Sequence, residues 1–238
     1  MRFYKSFKIF YMKIICFFFL FFIKANCQNL YIEYGVTIFP EKEILEKDET
    51  LKKYYLNAIE NAKQLNFGLI CTSENSKFFN ITDSQILASS KGTDLLFAGY
   101  SGIVFDLKKH LLSQSSLLGD NIFVKKQIVN DWQLINEKKE INGYTCYKAT
   151  SFNVIKYGEK VFKHPITAWF CPEIPYSFGP NGYGNLPGLI LELQVRNVVY
   201  GVKKIEFDSK KTFDIDKKNM KILSELEFEK ALDKLNDF

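Results

Sequence analysis

Residues 144–171 read YTCYKATSFNVIKYGEKVFKHPITAWFC, and the fold is decided there. Two runs rich in β-branched and aromatic residues, 144–156 and 160–171, flank Gly158-Glu159. A two-residue loop with glycine supplying positive φ predicts a tight antiparallel hairpin. Paired residues then have numbers summing to 317, as Cys146 and Cys171 do. Tyr157 and Lys160 become the hydrogen-bonded pair beside the loop, and alternation makes the cysteine step a non-hydrogen-bonded pair with close Cα atoms. That spacing is at the lower end of what a disulfide spans, so a Cys146–Cys171 bridge is expected. A bulge, or distortion at Pro165, would shift the register and send the sulfurs to opposite faces.

Outward toward the N-terminus, the turn candidate Asn142-Gly143 and the charged stretch 137–140 separate the hairpin from a strand at 132–136. Short β-like segments are expected at 67–72, 77–82, 94–98, 102–107 and 121–129, with the Ser-rich 111–118 as a loop. In LYIEYGVTIF, residues 30–39, Ile32, Tyr34, Val36 and Ile38 share one face, and Pro40 ends the strand. Leu51, Tyr54, Tyr55, Ala58, Ala62 and Leu65 recur at spacings of three and four, predicting a helix over 48–65. Outward toward the C-terminus, strands are read at 189–196 and 198–207, with a short one at 212–216. Ser224 with Glu227 matches a capping box opening a final helix. Together these give an α+β, mainly β fold: a curved antiparallel sheet, up to a half-barrel, with one helix after the first strand and another at the C-terminus.

The first residues belong to targeting rather than to the fold. Arg2, Lys5, Lys8 and Lys13 precede the apolar run IICFFFLFFI at 14–23, which Lys24 ends. A run of ten is about half of what spans a bilayer, and the pattern is that of a secretory signal peptide. We expect residues 1–27 to be removed, leaving one β-rich domain, 28–238. The product would be exported to the periplasm, the outer membrane surface or the medium. Membrane association follows only if Cys27 is lipidated, and Lys24, Ala25 and Asn26 fit that pattern poorly. Residues 1–27 hold five basic residues (Arg2, Lys5, Lys8, Lys13, Lys24) and no acid, so of 32 basic and 27 acidic residues the remainder carries 27 of each. A neutral remainder has no global positive field for nucleic acid, and nucleic acid is excluded as a partner.

Motifs for chemistry are sparse. His110 and His164 lie in no His-Glu-x-x-His pattern and no Cys-x-x-Cys occurs, so neither metal nor cofactor is expected. Gly99-Tyr100-Ser101-Gly102 misses the nucleophile-elbow spacing by one residue and reads as a turn. Pro187 removes a phosphate-facing N–H from the glycine-rich 182–188, which excludes a dinucleotide loop. Cys71 paired with either histidine could form a nucleophile and base; a buried thiol is the plainer reading. No catalytic residue is assigned.

One segment carries a signature. Ala168-Trp169-Phe170-Cys171-Pro172-Glu173-Ile174-Pro175, then Phe178-Gly179-Pro180, then Asn185-Leu186-Pro187-Gly188-Leu189-Ile190-Leu191, resembles the GLPGLI family of exported Bacteroidetes proteins. Asn185 stands where that family's first Gly would be, and asparagine tolerates positive φ next best. The resemblance extends back through Trp132, residues 142–149 and Ser76-Lys77-Phe78-Phe79. It implies envelope placement and a β-rich fold, and no catalytic residue. Trp169, Pro175, Gly179, Pro180, Leu186, Pro187, Gly188, Leu189 and Ile190 are thereby singled out, and the prolines and glycines read as a rigid corner delivering an apolar strand. The leading expectation is a non-enzymatic envelope protein that binds a hydrophobic ligand or another envelope protein. The alternatives are a hydrolase with a Cys71 or serine nucleophile and a purely structural role.

Overall fold

The hairpin has the expected register. In the computed structural model, which describes residues 29–90, 92–129, 131–157 and 160–236, strand Tyr144–Tyr157 pairs with Lys160–Cys171. The ladder runs from Tyr157↔Lys160 through Phe152↔Pro165 to Tyr147↔Phe170 without a shift. Pro165 is tolerated because its position is non-hydrogen-bonded toward the partner strand, so the missing N–H would have faced away. Its carbonyl does face away, accepting from Arg196 N at 3.1 Å. One step beyond Tyr147↔Phe170 the same register sets Cys146 opposite Cys171. Both are buried, and both are free thiols here. The Gly158-Glu159 loop and the signal segment 1–27 lie outside the described residues.

Twelve strands are described: β1 Asn29–Ile38, β2 Asn66–Cys71, β3 Ser76–Asn80, β4 Val104–Asp106, β5 Leu111–Gln114, β6 Ile122–Lys126, β7 Gln133–Ile141, β8 Tyr144–Tyr157, β9 Lys160–Cys171, β10 Leu189–Val195, β11 Val198–Ser209 and β12 Lys221–Ser224. They form one open sheet in the order β12-β6-β5-β4-β3-β2-β1-β11-β10-β9-β8-β7. Pairing is antiparallel except where β12 joins β6 in parallel. The helices are α1 Lys42–Leu45, α2 Glu49–Asn61, α3 Ser84–Ser90, α4 Thr93–Phe97 and α5 Glu225–Asn236.

Several elements differ from expectation. Residues 94–98 were expected as a strand but fall mostly in α4, an ambiguity inherent in short apolar runs. Residues 111–114 form β5 rather than loop, because Leu111 and Leu112 are buried on opposite faces and leave no alternation to read. The charged 137–140 continue β7 instead of ending it. As the sheet's edge strand, β7 keeps its Lys and Glu side chains in water. Residues 212–216 form no strand; Phe213 and Ile215 instead cover the outer cluster Phe105, Leu112 and Phe123.

The main core lies on the other face. Leu30, Ile32, Tyr34, Val36 and Ile38 of β1 meet Phe67, Leu69 and Cys71 of β2, Phe78 of β3 and Tyr200 of β11. Phe67 and Phe78 stack at 5.4 Å, with Tyr200 edge-on to both. Helix α2 lays Tyr55 and Ala58 on this layer, capped by Asp48 accepting from Leu51 N at 2.9 Å. Buried phenols find partners: Tyr34 Oη donates to Ile190 O at 2.7 Å and Tyr200 Oη to Ala98 O at 2.6 Å. The C-terminal capping box forms as read, Glu227 accepting from Ser224 N at 2.7 Å while Glu227 N donates to Ser224 Oγ at 3.3 Å.

Candidate functional site

The glycine- and proline-rich signature folds into a corner between β9 and β10. Ile174, Phe178, Leu186, Leu189 and Ile190 are all buried in the main core. Leu189 N donates to Ile174 O at 3.0 Å, Ile190 N to Phe178 O at 3.0 Å and Asn185 N to Ser177 O at 2.9 Å, so the corner is laced to itself. Asn185 has φ 62°, a left-handed conformation that asparagine tolerates next best after glycine. Gly188 cannot carry a side chain: φ is 150°, and a Cβ would strike the Cys171 carbonyl. Pro180 opens the 3-10 turn Pro180–Gly182, which rests on β3 and β4, while Pro175 and Pro187 are exposed. Trp132 Nε1 donates to Gly184 O at 2.8 Å and Asn181 Nδ2 to Gly99 O at 2.9 Å, tying the corner to segments distant in sequence. Trp169, half-buried against the main core, lies under the Lys139 ammonium, 4.4 Å from its ring centre.

Among the described residues no hydrogen bond joins the nucleophile and base candidates weighed from sequence. Cys71 is fully buried, and burial, followed by the nearby Asp106 carboxyl, pushes its thiol well above the ordinary range. A thiol so placed is not an activated nucleophile. Among the described residues neither Cys71 nor Ser101 has a side-chain hydrogen bond to a histidine. His110 is held low by partial burial and by Lys125 and Lys217, whereas His164 sits on β9 opposite Asn153. Asp106, 3% exposed, is raised to about 6 by burial, partly offset by the Lys108 N–H at 2.8 Å. Sequence reading did not single it out, since an isolated Asp in a short strand carries no spacing signal. Among the described residues no group of three His, Cys, Asp or Glu is arranged to hold a metal ion.

Three surface features stand open to other molecules. The first is the distal arm of the β8–β9 hairpin. On its outer side β8 is paired with β7 only as far as Thr150↔Gln133, and on the β9 side pairing with β10 ends at Ile166↔Val195. Register makes Phe152 and Val154 non-hydrogen-bonded toward β9, so their N–H and C=O groups face outward. Their side chains are exposed, as are those of Val161 and Phe162 on β9. Pro165 and Lys163 blunt the β9 edge; no charge or proline interrupts residues 151–155 of β8.

The second surface is a cleft of about 260 Å³ between β4–β5, the chain after β6, the hairpin arm and the corner. Its polar lining comprises Ser101, Ser113, Lys126, Gln127, Asn153, Asn181 and Tyr183, beside the apolar Val104 and Leu111. Burial pushes the Tyr183 phenol up to about 12 and depresses the Lys126 ammonium, which Glu225 partly restores. A shallower depression of about 580 Å³ has an apolar floor of Ile44, Leu51 and Phe97, rimmed by Glu43, Glu46, Lys47 and Arg196. Among the described residues no helix is long and apolar enough to cross a membrane.

Residues 156–192, from the end of β8 through the corner into β10, match the family described as "Protein of unknown function (Porph_ging)". Five chains of known structure match. Two are structures of PNGF-II, in the P21 and C2 space groups, each 16% identical with a TM-score of 0.49, covering 85% of this chain and 32% of that one. The chain thus spans about a third of their length. No curated protein matches.

Proposed function

We propose that the protein is an exported, non-enzymatic envelope protein that works by binding another envelope protein, taken up as an extended strand along the outer edge of β8. The observation that carries this reading is the open edge at Phe152 and Val154, with exposed apolar side chains and no charge or proline within 151–155 to discourage pairing. A strand presented this way is a template for main-chain hydrogen bonds from an incoming chain. Export is supported by the basic cluster and apolar run of residues 1–27, and kinship with the GLPGLI family by Asn185 to Leu191 within the corner. Export also supports a Cys146–Cys171 bridge, since the register carried one step beyond Tyr147↔Phe170 would set the two residues opposite each other and disulfides persist outside the cytosol. The apolar floor at Ile44, Leu51 and Phe97 supports a second reading, a hydrophobic ligand held there. Placement of Trp132, Tyr34 and Ile190 as braces of the corner supports a structural role for the signature itself.

The test uses a photo-crosslinker at position 152 of the full chain in the cells that make it. Val154→Pro removes one outward N–H while leaving the β8–β9 bonds in place. The expected result is one cross-linked envelope protein, lost in Val154→Pro at an unchanged melting temperature. Cross-linking only to a second copy of the chain, or capture unaffected by Val154→Pro, would overturn the reading.

A further inference from the structure

We propose that the cleft beside β5 is a binding site for a small oxyanion carried on a hydroxylated body, with Lys126 as counter-charge. Three observations carry it, none of which depends on the hairpin edge binding a strand. The cleft's one charge is positive: Lys126 contributes to the lining, and no Asp or Glu does. No carboxylate pairs with that ammonium within 4 Å among the described residues, and Glu225, which acts on it at longer range, is not part of the lining.

Of the other polar side chains around it, Asn181 is engaged, donating to Gly99 O at 2.9 Å, and the rest are free. Among the described residues the side chains of Ser101, Ser113, Gln127, Asn153 and Tyr183 make no hydrogen bond within the protein. Among the described residues the sealed, unpartnered side-chain atoms are Glu41 Oε2 and Asp94 Oδ1, neither of which lines the cleft, so these five groups are accessible rather than stranded. Five neutral hydrogen-bonding groups around a lone cation complement an anion bearing hydroxyls, because each ligand oxygen finds a donor and the charge a partner. The apolar wall of Val104 and Leu111 gives the body of such a ligand one dry side. At about 260 Å³ the site falls at or below the small end of ligand pockets, which suits a solute of metabolite size rather than an acyl chain.

The walls come from parts of the chain with no local reason to meet. Ser113 is on β5, Lys126 ends β6, Asn153 is on β8 and Tyr183 lies in the corner after its 3-10 turn. Only the curl of the sheet brings them together.

Calorimetric titration of the full protein with glycerol 3-phosphate, inorganic phosphate and glycerol tests the site. Both anions are expected to bind one to one, glycerol 3-phosphate more tightly, and glycerol not at all. Lys126→Met should weaken the anions by about tenfold or more, and Tyr183→Phe, which removes one hydroxyl, should weaken them less. Displacement of the probe by phosphatidylglycerol vesicles would assign the anion to a lipid headgroup, and no displacement to a free solute. Absence of binding by either anion, or equal binding by a folded Lys126→Met protein, would overturn the proposal.

Discussion

Asp106 is the residue at which this protein stores the most legible electrostatic cost. Its carboxyl is raised from 3.8 to about 6, chiefly by burial. An acid whose folded value lies above its unfolded value penalises the folded state once it ionises. The penalty is absent below about pH 4, grows as pH rises to about 6, and is constant beyond, at roughly 3 kcal/mol. Asp106→Asn keeps an acceptor for the Lys108 N–H and removes the charge. The variant should therefore be more stable than the parent at pH 7.5 and nearly equal to it at pH 4, read from urea midpoints at both pH values. Nothing in the sequence around Val104-Phe105-Asp106 announces this, because the cost arises from the corner and β2 packing over it. By contrast the left-handed Asn185 and the compulsory Gly188 were visible in the sequence, since turn chemistry is local.

At the scale of elements, the β8–β9 hairpin was the most readable part. Glycine at the loop, β-branched runs and a constant pair sum fixed the register, and Pro165 falls at a position that tolerates it. The same logic predicts what happens to the two thiols at its far end. Protein recovered from outside the cytosol should carry a Cys146–Cys171 bond, seen as an intact mass two hydrogens lighter that reverts on reduction, with Cys71 still alkylable only after unfolding. Recovery of three free thiols from such a preparation would contradict it. Helix α2 and the Ser224–Glu227 box were legible for the same reason, as caps and stripes are short-range. Strand β5 and helix α4 were not. Leu111 and Leu112 are buried on both faces and residues 94–98 form a short apolar run, so no period distinguishes helix from strand.

Across the whole molecule, what escaped the sequence is everything made by curvature. Strands β5 and β8 stand eight places apart in the sheet order, roughly 38 Å if the sheet were flat. Yet Ser113 and Asn153 line one cleft. The curl also determines where the sheet is finished and where it is left open. It carries β12 alongside β6 at one end and leaves β7, with its lysines and glutamates, at the other. Among the described residues the β8 arm runs past β7 with apolar residues on its edge, and the binding role proposed for this protein depends on that edge being free. Amide hydrogen exchange resolved by residue tests it most directly. Along the arm of the isolated protein, Ser151 and Asn153, bonded toward β9, should exchange slowly, while Phe152 and Val154 exchange near the rate of unprotected amides. Equal, slow exchange at all four would mean that the edge is already covered, and would contradict the account.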